Sequence, residues 1–115
     1  MPATATIDYL EFPSADGTKT RRFLEQAFGW RFVEYGPTYL GIEDAGIDVG
    51  IQSDPAEATA APLVIMRTDD LDAAQAAVEA AGGTITRPQF NFPGGRRFHF
   101  REPGGNEMAL WIERA

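Results

Sequence analysis

The two halves of this chain follow one plan, and this internal duplication is the sequence feature that most constrains the fold. Asp16 is placed to cap a helix that Gly29 ends, and the same arrangement recurs, at the same length, from Asp70 to Gly83. An extended apolar run precedes each helix, and strand-like segments with a glycine-containing turn follow it. The sequence therefore predicts an α+β fold in which two tandem βαβββ modules form a cupped mixed sheet, with the helices outside and a ligand cavity inside.

Length and composition fit one domain built from these two modules. The chain has 115 residues, of which 43% are hydrophobic and 23% are charged, as is ordinary for a globular protein with a real core. We expect a single domain over residues 1–115, with module 1 at about 5–52 and module 2 at about 62–113. Residues 53–61 are rich in Ala, Pro and acidic side chains and lack hydrophobic periodicity, which predicts a linker.

Charge and the absence of cysteine exclude several classes of function. A net charge of −7 argues against nucleic acid, whose phosphates require clustered Lys and Arg, and mildly favours a cationic partner. No apolar stretch approaches the ~18 residues that would indicate a membrane span, and the first residues do not resemble a secretion signal. A cytoplasmic location is the resulting expectation. With no Cys, disulfides, thiol catalysis and thiolate metal sites are removed together.

Three segments resemble the vicinal oxygen chelate superfamily, which includes glyoxalase, fosfomycin- and bleomycin-resistance proteins and extradiol dioxygenases. They are FLEQAFGW at 23–30, a segment at 70–83 that begins DLDAA and ends AGG, and FHFREPGGNEMALW at 98–111. Together, in a duplicated chain, they extend the resemblance over nearly the whole sequence. The resemblance implies the fold but not one function, because this fold hosts lyases, oxygenases, epimerases and pure binding proteins.

The resemblance also implies where a metal would bind. Enzymes of the family hold a divalent metal with His, Glu or Gln on the first and last strands of each half. By position, these ligands fall on Tyr9, Leu63 and Ala109, with the fourth near Val49 or Gly50. A zinc centre needs several His, Cys or carboxylate ligands, and the chain has one His and no Cys. We therefore expect no metal and no other cofactor, with an oxygen-ligand Mg²⁺ or Ca²⁺ site that includes Glu11 as the alternative.

Strand alternation predicts which side chains line the cavity. Leu10, Phe12, Phe98 and Leu110 suit the helix-packed side of their strands, so the residues between them turn inward. The predicted cavity residues are Tyr9, Glu11, Leu63, Ile65, Arg67, Arg97, His99, Ala109 and Trp111. An apolar and aromatic wall with a few polar groups is the usual composition of a small-molecule site.

Two functions fit such a cavity. The first, which we favour because no catalytic machinery is evident, is a metal-free protein that binds and sequesters a small organic molecule. The second is an enzyme of the lyase, isomerase or dioxygenase type, using an oxygen-ligand metal or an acid–base pair of His99 and Glu11, the candidate catalytic residues. His99 could instead be a hydrogen-bonded wall residue or lie at a subunit interface. A homodimer is expected in either case, because the family pairs its half-cups and pairing covers sheet edges.

Overall fold

The computed structural model describes residues 2–114 and divides the chain into two compact units. One unit is Tyr9–Leu63, and the other combines the residues up to Asp8 with those from Val64 onwards. The elements, in chain order, are β1 (Thr6–Pro13), α1 (Gly17–Phe28), β2 (Phe32–Glu34), β3 (Tyr39–Ile42), β4 (Asp48–Gln52), β5 (Leu63–Arg67), α2 (Leu71–Ala80), β6 (Thr84–Phe92), β7 (Gly95–Arg101) and β8 (Glu107–Glu113). The repeated order βαβββ, with parallel and antiparallel strand pairs, confirms the predicted α+β fold.

In the unit Tyr9–Leu63 the strands are arranged in the order β2–β3–β4–β1. The β1–β4 pair is parallel, and the β2–β3 and β3–β4 pairs are antiparallel. Leu10 and Phe12 of β1 pack, with Leu24 of α1, against a buried cluster of Ile42, Val49 and Ile51. Since successive side chains of a strand point to opposite faces, Tyr9 and Glu11 lie on the face of β1 away from this cluster.

The second unit has the strand order β5–β8–β7–β6, with a parallel β5–β8 pair and antiparallel neighbours. Its buried cluster consists of Leu71, Ala74, Phe98, Phe100 and Leu110, with Met66 and Met108 packed against it. The predicted helix-side placement of Phe98 and Leu110 is therefore correct. On the opposite face, Ala109 lies between Ile65 and His99, and Trp111 lies between Arg67 and Arg97.

Both helices begin at the predicted residues. The Asp16 side chain accepts a hydrogen bond from the Lys19 amide at 3.1 Å, and Asp70 accepts one from the Ala73 amide at 3.0 Å. Gly29 has the left-handed φ of 69° that ends α1. The repeat is not perfect, because α2 ends at Ala80 and its left-handed residue is Gly82, at φ 98°.

Strand β2 is short, because only Phe32–Glu34 are paired after α1. The turn between β6 and β7 is tight, because Gly95 already pairs with both Phe92 and Glu113. Across residues 2–114, neither helix has both the length and the apolar character needed to cross a bilayer.

Candidate functional site

The predicted site residues, together with neighbours that the sequence did not identify, form two groups that belong to different units. The first, here called the tyrosine cluster, consists of Tyr9, Tyr39 and Glu11 in the unit Tyr9–Leu63. The second, here called the His99 face, is the side of the β5–β8–β7–β6 sheet that carries Ile65, Arg67, Phe90, Phe92, Arg97, His99, Glu107, Ala109 and Trp111. Leu63, the remaining predicted residue, is buried at the start of β5.

His99 is the buried polar residue of the His99 face, with 2% of its surface exposed. Its Nδ1 atom lies 3.3 Å from Oε2 of Glu107, and the Thr86 hydroxyl donates to the same oxygen at 3.0 Å. Its Nε2 atom is also buried and has no hydrogen-bond partner among residues 2–114. A buried polar atom left in this state costs on the order of 1–3 kcal/mol, so it points to a function that uses the atom.

The environment keeps the His99 ring neutral. Burial lowers the pKa of His99 below its ordinary value of 6.5, and the positive charge of Arg97 lowers it further, while the hydrogen bond to Glu107 opposes both effects. A neutral imidazole has one N–H and one lone pair. Because Glu107 is a carboxylate acceptor, the Nδ1–H group donates to it and the lone pair lies on Nε2. His99 can therefore accept a hydrogen bond or a proton at Nε2.

Aromatic rings and guanidinium groups surround this histidine. The Phe90 ring centroid lies 5.8 Å from that of His99, and Cζ of Arg87 and of Arg97 lie 3.6 and 5.2 Å from the Phe90 centroid. Stacking of this kind holds a guanidinium group against the ring and is attractive. The sequence did not identify Phe90 or Arg87 as site residues, because two register shifts in β6 break the alternation on which the assignment of faces relied.

Glu107 was also not predicted as a site residue, although strand alternation indicates its position. It is on the same strand as Ala109, two residues earlier, so alternation places both on one face. The pair expected from the sequence was His99 with Glu11. The carboxylate hydrogen-bonded to His99 is Glu107, and the pairing of His99 with Glu11 stays a prediction.

Trp111 is held by contacts on its edge and its face. Its Nε1–H donates to Asp8 at 3.0 Å, and Cζ of Arg67 lies 5.1 Å from its ring centroid. Arg67 also forms an ion pair with Glu113 at 3.2 Å. Arg67 and Asp8 contribute to an open cavity of about 350 Å³ whose lining residues are Thr4, Thr6, Asp8, Arg67, Thr68 and Asp69. This polar edge cavity differs in chemistry from the aromatic surroundings of His99.

The tyrosine cluster is a chain of three side-chain oxygen groups. The hydroxyls of Tyr9 and Tyr39 are 2.7 Å apart, and Tyr39 donates to Oε2 of Glu11 at 3.0 Å. Glu11 is only 3% exposed. Burial raises the pKa of Tyr39 far above its ordinary value, and the charge of Glu11 and the neighbouring Tyr9 raise it further, so the Tyr39 hydroxyl stays protonated. Tyr39 was not among the residues predicted to line the cavity.

Gly50 provides the space that the two phenol rings occupy. It lies opposite Glu11 on β1 and opposite Gly41 on β3. A Cβ atom on Gly50 would overlap the hydroxyls of both Tyr39 and Tyr9. A family metal ligand was expected near Val49 or Gly50, and the packing of the tyrosines explains why this position has no side chain.

The residues at the family's metal positions do not fit a divalent metal. Tyr9 is hydrogen-bonded to Tyr39, and Leu63 and Ala109 are apolar and buried. Within the described part of the chain, no group of three or more His, Cys, Asp or Glu side chains is arranged to hold a metal ion. Metal centres require converging nitrogen, sulfur or oxygen ligands, which these positions lack.

Comparisons with known proteins agree with this fold. The family model of the Glyoxalase/Bleomycin resistance protein/Dioxygenase superfamily matches residues 6–110. No curated protein matches the chain. Methylmalonyl-CoA epimerase from Mycobacterium tuberculosis has a similar structure, with a TM-score of 0.72 and 16% identity over 100% of this chain and 94% of that one.

Longer proteins contain the same fold as one part. The Mn(II)-bound glyoxalase from Novosphingobium aromaticivorans has a TM-score of 0.70 and 19% identity, over 97% of this chain and 40% of that one. Homoprotocatechuate 2,3-dioxygenase from Arthrobacter globiformis has a TM-score of 0.72 and 19% identity, over 98% of this chain and 38% of that one. At these identities the similarity shows the fold alone.

The environment of His99 predicts its titration. We expect its pKa to lie below 6.5, to fall further in Glu107→Gln and to rise in Arg97→Gln, because Glu107 favours the charged ring and Arg97 opposes it. NMR of ¹⁵N-histidine-labelled protein measures this directly, since the chain has one His. Arg96→Gln is the control, because Arg96 bonds to Gln89 and Asn91 and should leave the pKa unchanged.

The lowered pKa of His99 also predicts how stability changes with pH. Because the folded state binds the His99 proton less tightly than the unfolded chain, the contribution of His99 to the free energy of unfolding is complete above pH 6.5 and is lost as the pH falls. The free energy of unfolding, measured with urea, should decrease less at acid pH in His99→Gln than in the wild type. A His99 pKa of 6.5 or above would contradict both expectations.

Packing around Gly50 predicts a destabilising substitution. Gly50→Ala should lower the free energy of unfolding by about 1–3 kcal/mol, because the new methyl group overlaps the hydroxyl groups of two packed tyrosines. Gly41→Ala, on the neighbouring strand, is the matched control. Its Cβ meets the Tyr35 ring, which is exposed and can rotate away. Equal losses for the two variants in urea unfolding would show that the tyrosines do not require Gly50.

Proposed function

Because the chain belongs to the Glyoxalase/Bleomycin resistance protein/Dioxygenase superfamily, we propose that it binds a small organic molecule on the His99 face, without a metal centre. The observation that carries this proposal is the Nε2 atom of His99, which is buried and has no partner in the described residues. A bound molecule that donates a hydrogen bond there would remove the cost of leaving the atom unpaired.

The surroundings of His99 favour an aromatic molecule. The rings of Phe90, Phe92 and Trp111 offer apolar contact area, and the Phe92 and Trp111 centroids are 6.2 Å apart. The guanidinium groups of Arg87 and Arg97 lie over the Phe90 ring and belong to the same surroundings. An aromatic molecule with a hydroxyl group would contact these rings and donate a hydrogen bond to the Nε2 lone pair of His99.

A homodimer without a resident cofactor is part of this proposal. The pairing of subunits that is usual in the family supports the dimer. The side chains of Tyr9, Leu63 and Ala109, which match metal ligands poorly, support the absence of a metal cofactor.

Acid–base catalysis is the second candidate, and the contact between His99 and Glu107 favours it. Glu107 fixes the Nδ1–H tautomer and would stabilise the imidazolium ion that forms when Nε2 takes a proton. The reaction class would be removal of a proton next to a carbonyl group. This candidate replaces the His99 and Glu11 pair of the sequence analysis with His99 and Glu107.

Binding is tested with phenol and anisole, which differ in the donor hydroxyl. We expect phenol, and much less so anisole, to shift the Nε2 signal of ¹⁵N-histidine-labelled protein, and His99→Ala to weaken phenol binding by about tenfold. Added Mn²⁺ should change neither result. Phenol that leaves the His99 signals unmoved, or binding that requires Mn²⁺, would contradict the proposal.

Catalysis is tested by deuterium exchange into the methyl group of acetophenone, followed by proton NMR in D₂O. If His99 acts as a base, exchange should exceed the buffer rate, persist with a chelator and be abolished in His99→Gln. Glu107→Gln should slow it, since the imidazolium ion loses its carboxylate partner. Exchange at the buffer rate would leave binding as the function that the site supports.

A further inference from the structure

Strand β6 departs from regular alternation next to His99. From Arg87 to Phe90 it advances three residues, while its partner β7 advances two, from His99 to Arg97, so β6 contains one extra residue. Side chains three positions apart lie on opposite faces of a regular strand. Here Cζ of Arg87 lies 3.6 Å from the Phe90 ring centroid, which in turn lies 5.8 Å from that of His99. The bulge therefore turns Phe90 to the His99 face.

Gln89, the residue before Phe90, points towards α2 and is held by three hydrogen bonds. Its Nε2 atom donates to Oδ1 of Asp72 at 2.9 Å and to Oε1 of Gln75 at 2.8 Å. Its Oε1 atom accepts from Nε of Arg96 at 2.9 Å. Because the Asp72 carboxylate only accepts and Arg96 only donates, these partners fix the orientation of the amide. Gln89 thus ties the bulge both to α2 and to β7.

The bulge of β6 has little backbone support of its own. The extra residue of a bulge has no ladder partner, and Pro88, which lies within this one, has no N–H group to donate. Asp72 and Gln75 are three residues apart and so lie on one face of α2, where both reach the same amide. The side-chain hydrogen bonds of Gln89 therefore replace the backbone pairing that β6 loses here.

We propose that Gln89 is a positioning residue of the His99 site, which holds Phe90 against His99 and thereby makes the site select aromatic over saturated ligands. The selection follows because contacts between aromatic rings are more favourable than their contact area alone provides. The inference rests on the proposed function for the ligand. The position of Phe90 is a property of the free protein and is measured without a ligand.

The ring protons of His99 report the position of Phe90, and their signals are unambiguous because the chain has one His. Phe90→Leu removes the ring current that acts on them and sets the scale of the change. Gln89→Leu, which removes all three hydrogen bonds, should produce most of that change in the ¹H spectrum of the free protein at an alkaline pH. Gln26→Leu, at an exposed glutamine of α1, is the control and should produce none.

An exchange that conserves total charge separates a hydrogen-bonding role from a general loss of packing. Gln89→Glu places a carboxylate beside Asp72 and should behave as Gln89→Leu does. Adding Asp72→Asn supplies an amide that can donate to the new carboxylate, so this double variant should return the His99 protons to their wild-type positions. If Gln89→Leu does not fold, as judged by circular dichroism, Gln75→Leu removes one of the three bonds and should shift the same protons in the same direction.

Phenol and cyclohexanol, which share a hydroxyl group and ring size, test the selection. Their affinities are measured from the ¹⁵N signals of His99. We expect the wild type to prefer phenol, and Gln89→Leu to lower that preference by about three- to tenfold. Gln89→Leu combined with Phe90→Leu should lower it no further than Phe90→Leu alone, because Gln89 acts through Phe90. Additive losses in that double variant, or wild-type His99 protons and preference in Gln89→Leu, would overturn the inference.

The two readouts distinguish this inference from the proposed function. If phenol leaves the ¹⁵N signals of His99 unmoved while Gln89→Leu shifts the ring protons of the free protein, the proposed function is wrong and the positioning of Phe90 by Gln89 stands. If phenol shifts the ¹⁵N signals while Gln89→Leu changes neither the ring protons nor the preference, the proposed function stands and the inference is wrong.

Discussion

The requirement that buried polar groups have partners governs the functional faces of this structure. Glu11 and His99 are both almost fully buried, and each has a hydrogen-bond partner in its own unit, Tyr39 for Glu11 and Glu107 for His99. Tyr39 donates its hydroxyl proton to Glu11. His99 donates its Nδ1–H to Glu107, which leaves the lone pair of the ring on Nε2. Without the burial, water would serve both groups and neither direction would be fixed.

The duplicated halves keep the same helix-packed side and differ on the other side. In both units an Asp caps the helix, and alternate apolar residues of the strands pack against it. On the other side, one unit carries tyrosines above a glycine pair and the second carries stacked arginines and aromatic rings. Packing against a helix tolerates few changes, whereas a face that meets a ligand can change its residue types without loss of the core.

Much of this fold could be predicted from the sequence, because helix caps and strand alternation are local. Asp16, Asp70 and Gly29 act at the positions predicted for them, since a cap depends only on a few neighbouring amides. The contents of the site were harder to predict, because they depend on contacts across strands. Phe90 was not predicted because register shifts in β6 break the alternation of faces. The hydrogen bond between Tyr39 and Glu11 was not predicted because it joins strands that are not neighbours in the sheet. Gly50 is explained only by the side chains that occupy the space above it.

A metal ligand and the His99 side chain of this chain share one electronic property. A metal ligand presents a lone pair to a cation, and His99 Nε2 also presents a lone pair. A divalent ion needs several such ligands that converge, whereas a hydroxyl proton needs only one acceptor. Tyr9, Leu63 and Ala109 do not supply such a converging set, whereas the Nε2 lone pair of His99 is enough to accept one hydrogen bond. The positive charge of Arg97 acts in the same direction, because it keeps His99 neutral and so preserves the lone pair.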